Sequence, residues 1–232
     1  MHKKNIAIIL AGGVGVRAGG DIPKQYIKVK GIPILFQTIK VFEDSEYVDG
    51  IIVVAEEKWM QLIDNYVREL NITKFIGTSK NGDSREASIL NGLKYIEDNS
   101  INCKYVAVHD AVRPNATQKM VCDCFQVLDE FEASIPIIPI KDTIYCCEDG
   151  NAVAGLLERD KIFAGQTPEG FHYQKYYRYL ENLSDEMISR IHGTSELSFM
   201  AGMSIGVFTG DENNYKITTK EDIQRYIKQK ED

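Results

Sequence analysis

The sequence predicts a doubly wound α/β fold with a mostly parallel sheet, on three observations. Five short apolar runs of strand type alternate with longer stretches whose apolar residues recur every three or four positions. The first run ends in a glycine-rich loop, as a strand buried on both faces does where its carboxyl end meets a ligand. The composition, 44% hydrophobic and 26% charged with 18 Gly and 6 Pro, excludes collagen-like, disulfide-dense and largely disordered chains.

Residues 6–10 form the first strand-type run, and similar runs stand at 50–54, 74–76, 105–108 and 134–138. The helical stretches between them cover 34–42, 58–70, 84–96 and 118–131. Right-handed crossovers would lay these helices on both faces of the sheet. After Pro139 the alternation breaks. Glu148-Asp149-Gly150-Asn151 is a turn signal between two β-prone segments, 143–147 and 152–157, so residues 141–157 read as a protruding hairpin arm. An extended stretch at 163–171, helices at 173–183 and 185–191, a strand at 204–208 and a last helix at 219–230 complete the chain. At 232 residues it reads as one domain, 1–232, carrying the arm as an insertion. Such a length buries about 70% of the unfolded surface, enough for a core without disulfides or structural metal.

Lys and Arg number 27 against 34 Asp and Glu, a net charge of −7. No general field attracts nucleic acid or anionic lipid, so an anionic ligand must be met by a local basic cluster. The apolar run at 5–16 is too short for a membrane span and glycines interrupt it, and Arg17 falls where a signal-peptide cleavage site would be needed. A cytoplasmic protein is expected, with no nucleic-acid and no membrane partner. The five cysteines, Cys103, Cys122, Cys124, Cys146 and Cys147, contain no Cys-x-x-Cys pair and read as reduced thiols.

Gly13-Val14-Gly15-Val16-Arg17-Ala18 formally fits a dinucleotide-binding pattern. The acidic residue that such a site places about 20 positions on, for a ribose, is missing from 33–38. A nicotinamide oxidoreductase thereby loses its second support. Arg17 lies within the loop instead, and Pro23-Lys24-Gln25 follows it. Two cations beside a run of backbone N–H donors make a triphosphate cradle.

The loop Leu10-Ala11-Gly12-Gly13-Val14-Gly15-Val16-Arg17 together with Pro23-Lys24-Gln25 resembles the signature of nucleotidyltransferases that activate sugar or polyol phosphates. Asn81 to Leu93, His109-Asp110-Ala111-Val112-Arg113-Pro114, Asp142-Thr143, Arg159 with Gln166-Thr167-Pro168, and Asn214-Tyr215-Lys216-Ile217-Thr218 follow in order. Over nearly the whole chain this succession is similar to the cytidylyltransferases for methylerythritol phosphate and ribitol phosphate. The resemblance implies a Rossmann-like fold, CTP and a polyol phosphate as substrates, Mg²⁺ as cofactor, and a homodimer joined through the arm.

It also implies roles for individual residues. Arg17, Lys24, Arg159 and Lys216 are the catalytic candidates, with Arg159 reaching the partner subunit's site. Ala11, Gly12, Gly13, Gly15, Gly82, Asp83, Arg85 and Ser88 are the CTP-binding candidates, and Arg113, Thr143, Thr167 and Thr194 the acceptor-binding ones. Asp110, at a strand end, is the candidate Mg²⁺ ligand. His109 reads as a hydrogen-bonded packing residue; His2, His172 and His192 show no ligand spacing. The chain departs from the family pattern at Thr194-Ser195-Glu196, where acidic residues usually follow the Thr, and at Pro168-Glu169, where Pro-Gln is usual. The segment 182–186 resembles the ribitol enzymes and favours ribitol 5-phosphate as acceptor over 2-C-methyl-D-erythritol 4-phosphate. A nucleotide-binding dimeric scaffold without turnover is the non-enzyme rival.

Overall fold

The computed structural model describes residues 3–13, 22–191 and 193–231. Strand β1 (Lys4–Leu10) lies in the middle of the main sheet. A small hairpin of β2 (Lys28–Val29) and β3 (Ile32–Pro33), which the sequence pattern did not suggest, leads into α1 (Ile34–Glu43). Then come β4 (Gly50–Ala55), α2 (Glu57–Glu69), β5 (Phe75–Lys80), α3 (Arg85–Asp98), β6 (Cys103–Asp110), α4 (Gln118–Gln126) and β7 (Ala133–Pro139). The expected helix at 118–131 is shorter, its last turns being 3-10 from Val127 to Asp129.

The arm consists of β8 (Tyr145–Cys146) and β9 (Gly155–Leu156), with Tyr145 opposite Leu156. Its strands are two residues each, well short of the expected 143–147 and 152–157. The turn is where the sequence placed it, with Gly150 at φ 77 and the Asp149 carboxylate accepting from the Asn151 N–H. Tyr145, Val153 and Leu156 are exposed on it.

The chain returns through β10 (Phe163–Gly165) and β11 (Glu169–His172), then α5 (Tyr173–Glu181), α6 (Asp185–Arg190), α7 (Thr194–Met200), β12 (Ile205–Thr209) and α8 (Lys220–Glu231). Helix α7 occupies a stretch to which the sequence pattern assigns no element.

β1 pairs in parallel with β4 and β6, β4 with β5, and β7 with β12. β10 and β11 run antiparallel along one edge of β7, while β12 takes the other edge. β11 also pairs antiparallel with β6, so it joins β6 to β7. Gly170 permits this close approach, since a Cβ there would fall 2.4 Å from the Ser134 hydroxyl oxygen.

Strand alternation sorts the core into two layers, as the expected winding requires. Ala7, Ile9, Ile51, Val53 and Ala107 pack with α1, α2 and α4; Ile6, Ile8, Ile52, Val54, Val106 and Val108 pack with α3, α5, α6 and α7. Each fully buried Ile contributes about 1.5–3 kcal/mol. A third cluster joins Tyr226 of α8 to Val29, Ile34, Val112 and Ile217. Among the described residues no helix is long and apolar enough to cross a membrane. The five cysteines are free, and burial pushes Cys103 and Cys124 up to about 12, which leaves both thiols protonated and inert.

Candidate active site

A cavity of about 470 Å³ opens at the carboxyl ends of β1 and β6, lined by Gly12, Gly13, Lys24, Gly82, Asp83, Arg85, Ser88, Asp110 and Lys216 among others. Among the described residues three cations therefore face it in a chain of net negative charge.

The glycine loop starts where β1 stops. Gly12 is required by crowding, because a Cβ there would fall 2.4 Å from the Asn81 Cβ. Pro23 precedes a 3-10 turn from Lys24 to Tyr26 that buries Gln25 and Tyr26 and leaves Lys24 on the cavity wall. The Lys24 ammonium donates to the Thr218 carbonyl at 3.3 Å. Gln25 donates to the carbonyls of Ala11 and Gly13 at 2.7 and 2.8 Å and so holds the loop backbone from behind. Sequence reasoning quoted Gln25 within a motif without giving it this work. Arg17 and Gly15 lie outside the described residues.

On the opposite wall, the Ser84 hydroxyl caps α3 by accepting the Ala87 N–H at 3.0 Å. Ser88 accepts the Gly82 N–H at 3.0 Å and donates to the Ser84 carbonyl at 2.8 Å. Its hydroxyl is thus occupied with shaping the turn, while Asp83 is exposed at the rim. Asn81 also lines the cavity and was missed, although it begins the motif.

Asp110 ends β6 within a ring of cations: Arg85 Nε at 3.5 Å from Oδ1, and Lys216 Nζ at 3.1 Å and Arg113 Nε at 3.4 Å from Oδ2. Burial raises its carboxyl, but Arg85, Lys216 and Arg113 outweigh that and hold it well below the usual carboxylate range. Lys216 is held over Asp110 by its neighbour Ile217, whose N–H donates to the Val112 carbonyl at 2.9 Å.

Beneath this floor, the buried His109 accepts from or donates to two partners, Thr167 Oγ1 at Nδ1 (2.9 Å) and the Arg113 carbonyl at Nε2 (3.0 Å). Burial pushes its pKa down to about 4, consistent with the expected packing role. Thr167 also accepts the Asp110 N–H at 3.2 Å. The Arg113 guanidinium donates to the Asn214 carbonyl at 2.6 Å, and Asn214 donates to the Thr167 carbonyl at 2.8 Å. Arg113 and Thr167, expected at the acceptor, are thus engaged within the protein. Thr194 is buried and accepts from Arg85.

Thr143 and Arg159 are not brought to this cavity. They line a separate shallow depression at the arm with Glu158, Asp160 and Lys161, where Arg159 donates to the Lys141 carbonyl at 3.2 Å.

A doubly wound sheet with a glycine loop and a cation-lined cavity at its strand ends defines a nucleotide-handling α/β protein. Comparison with known proteins narrows that class. The family model for IspD, 2-C-methyl-D-erythritol 4-phosphate cytidylyltransferase, matches residues 5–227, and the chain belongs to this family of nucleotidyltransferases. It is 33% identical over 230 residues to a 2-C-methyl-D-erythritol 4-phosphate cytidylyltransferase of Geobacter metallireducens, covering 97% of each chain. It is 27% identical over 223 residues to a ribitol-5-phosphate cytidylyltransferase of Streptococcus agalactiae, covering 96% of this chain and 93% of the relative. Among solved structures, a 4-diphosphocytidyl-2C-methyl-D-erythritol synthase from Anaerococcus prevotii superposes with a TM-score of 0.84 at 26% identity, over 99% of this chain and 97% of that one.

Proposed function

We propose that the protein transfers the cytidylyl group of CTP to a polyol phosphate, with ribitol 5-phosphate the favoured acceptor. An acceptor phosphate oxygen attacks the α-phosphorus in line, the bond from that phosphorus to the oxygen bridging to the β-phosphate breaks, and pyrophosphate leaves. The product is a CDP-linked polyol. The observation that carries this reading is the set Lys24, Arg85 and Lys216 around one cavity beside the ionised Asp110. Phosphoryl-type transfer needs mainly alignment and charge neutralisation. The phosphate nucleophile is already ionised at neutral pH, so no general base is required.

In this reading the amides of Ala11, Gly12, Gly13 and Gly15, with Arg17 and Lys24, receive the triphosphate. Gly82, Asp83 and Ser88 form the wall for the base. Lys216 and Arg159 take the acceptor phosphate, and because Arg159 sits out on the arm it serves the neighbouring subunit's cavity in a homodimer. The exposed apolar residues Tyr145, Val153 and Leu156 support an arm covered by a second copy. A cytoplasmic location agrees with free thiols at the exposed Cys146 and Cys147.

Mg²⁺ belongs to this reading. The described residues contain no cluster of three or more ligating side chains. An ionised carboxylate on the cavity wall fits the alternative, an ion held by one carboxylate together with phosphate oxygens. Asp110 would hold it, and when bound it would neutralise charge on the triphosphate.

The second reading takes 2-C-methyl-D-erythritol 4-phosphate as acceptor, favoured by the higher identity to the Geobacter relative. Segment 182–186, which enters α6 through the Ser184 cap, supports the ribitol reading. Pyrophosphate release from CTP with a panel of polyol phosphates tests both. The expected kcat/KM favours ribitol 5-phosphate about a hundredfold, because a pocket built to hydrogen-bond a hydroxyl rejects an analogue lacking it. An equal or higher value for the methylerythritol substrate reverses the choice, and absence of turnover with every acceptor leaves the scaffold.

A further inference from the structure

Arg85 is the first residue of α3, and each of its three guanidinium nitrogens meets a different part of the chain. Nε faces Asp110 Oδ1 of β6 at 3.5 Å, Nη2 faces Glu169 Oε2 of β11 at 3.4 Å, and Nη1 donates to the Thr194 hydroxyl at the start of α7. Arg85 and Asp110 line the cavity, whereas Glu169 and Thr194 do not. Glu169 is only 7% exposed and Thr194 1%. A buried carboxylate persists where a cation and hydrogen bonds compensate it, and Arg85 is the cation paired with this one. Burial pushes the Glu169 carboxyl up, and Arg85 opposes the rise.

An arginine side chain has several free rotors, and fixing them before a ligand arrives removes an ordering cost from binding. Glu169 and Thr194 do this from behind the cavity wall. The remaining guanidinium nitrogen, Nε, faces Asp110, the other carboxylate that Arg85 touches. We propose that Glu169 is a positioning residue for the nucleotide: acting through Arg85, and together with Thr194, it sets the guanidinium that faces the cavity. CTP affinity then depends on two residues that lie outside the cavity lining. The inference rests on reading this cavity as the CTP site.

Calorimetric titration of the full chain with CTP and Mg²⁺ tests it without requiring turnover. Glu169→Ala is expected to raise the Kd for CTP tenfold or more. Glu169→Gln keeps the size and an acceptor for Arg85 and should stay within threefold of wild type; loss of packing is told apart by the Arg85→Ala background. In an Arg85→Ala background, adding Glu169→Ala should change Kd less than twofold. Where Glu169→Ala fails to fold, Thr194→Val supplies the same comparison, with a rise of at least threefold that vanishes in the Arg85→Ala background. Variants within twofold of wild type, or equal losses with and without Arg85, overturn the proposal alone. A wild-type protein that takes up no CTP overturns it together with the reading of the site.

Discussion

The Thr167 hydroxyl lies 2.9 Å from His109 Nδ1 and 3.2 Å from the Asp110 amide nitrogen, bridging two successive residues at the end of β6. Because the Arg113 carbonyl at Nε2 can only accept, the ring proton sits on Nε2 and Nδ1 accepts from Thr167. The hydroxyl is then free to accept from the Asp110 N–H. A neutral imidazole is built into the floor of the site, directly before the carboxylate that faces the cavity.

That arrangement predicts acid sensitivity. An unfolded His titrates near pH 6.5, whereas His109 is pushed down to about 4. Between those values the unfolded chain takes up the proton and the folded one does not, so stability falls as pH drops through this window and His109 adds no slope above it. The loss is on the order of 3 kcal/mol. Denaturant midpoints at pH 7, 5.5 and 4 should show a shallower decline for His109→Gln than for wild type. Parallel declines would assign the acid sensitivity elsewhere.

Lys24→Ala should lower turnover without lowering thermal stability, since its ammonium faces the cavity from a surface turn. A charge that stabilises a transition state contributes on the order of 2.7–4 kcal/mol, roughly a hundredfold or more in kcat. Arg17→Ala is expected to behave in the same way. Near-normal turnover of either variant at saturating CTP would remove the loop from the triphosphate.

Gln25→Ala removes the donor shared by the Ala11 and Gly13 carbonyls. Ala11 keeps only the longer contact from the Tyr26 hydroxyl at 3.4 Å, and loss of such a donor costs about 1–3 kcal/mol, expressed in the shape of the loop. The KM for CTP should rise about tenfold with kcat less affected. An unchanged KM would show that the loop keeps its form without this support.

If Arg159 serves the neighbouring subunit's cavity, as proposed, complementation follows. Arg159→Ala and Lys24→Ala should each be inactive alone, while co-assembled chains regain activity in the dimers that contain one intact site. Heterodimers that form yet show no recovery would place Arg159 outside the partner's reaction.

The parallel strands and the arm were legible because each is written locally: apolar runs at β1, β4 and β6, and the turn around Gly150. The cavity's cations Lys24 and Lys216 were legible from motifs as well. What stayed hidden was the work of Arg85, Arg113, Thr167 and Thr194 inside the protein. Their partners are set by long-range pairing, as with Arg85 and Glu169, which lie 84 positions apart. The Glu at 169 was visible as an unusual residue, but only the seating of β11 beside β6 gives it a neighbour. Helix α7 had no visible pattern because its start, Thr194-Ser195-Glu196, is polar and the burial of Leu197 comes only with the assembled core layer.

The bridging position of β11 has a consequence for the order in which the molecule can be completed. β6 and β7 each pair with it, and it is made only after the whole arm. Until His172 has left the ribosome, the growing sheet carries two unpaired backbone edges, at Val106 to Val108 and at Ala133 to Ser134. A chain halted within the arm is therefore a sheet with an open slot between β6 and β7, able to accept a strand from another molecule, and closure of that slot by β11 still leaves the far edge of β7 to be covered by β12.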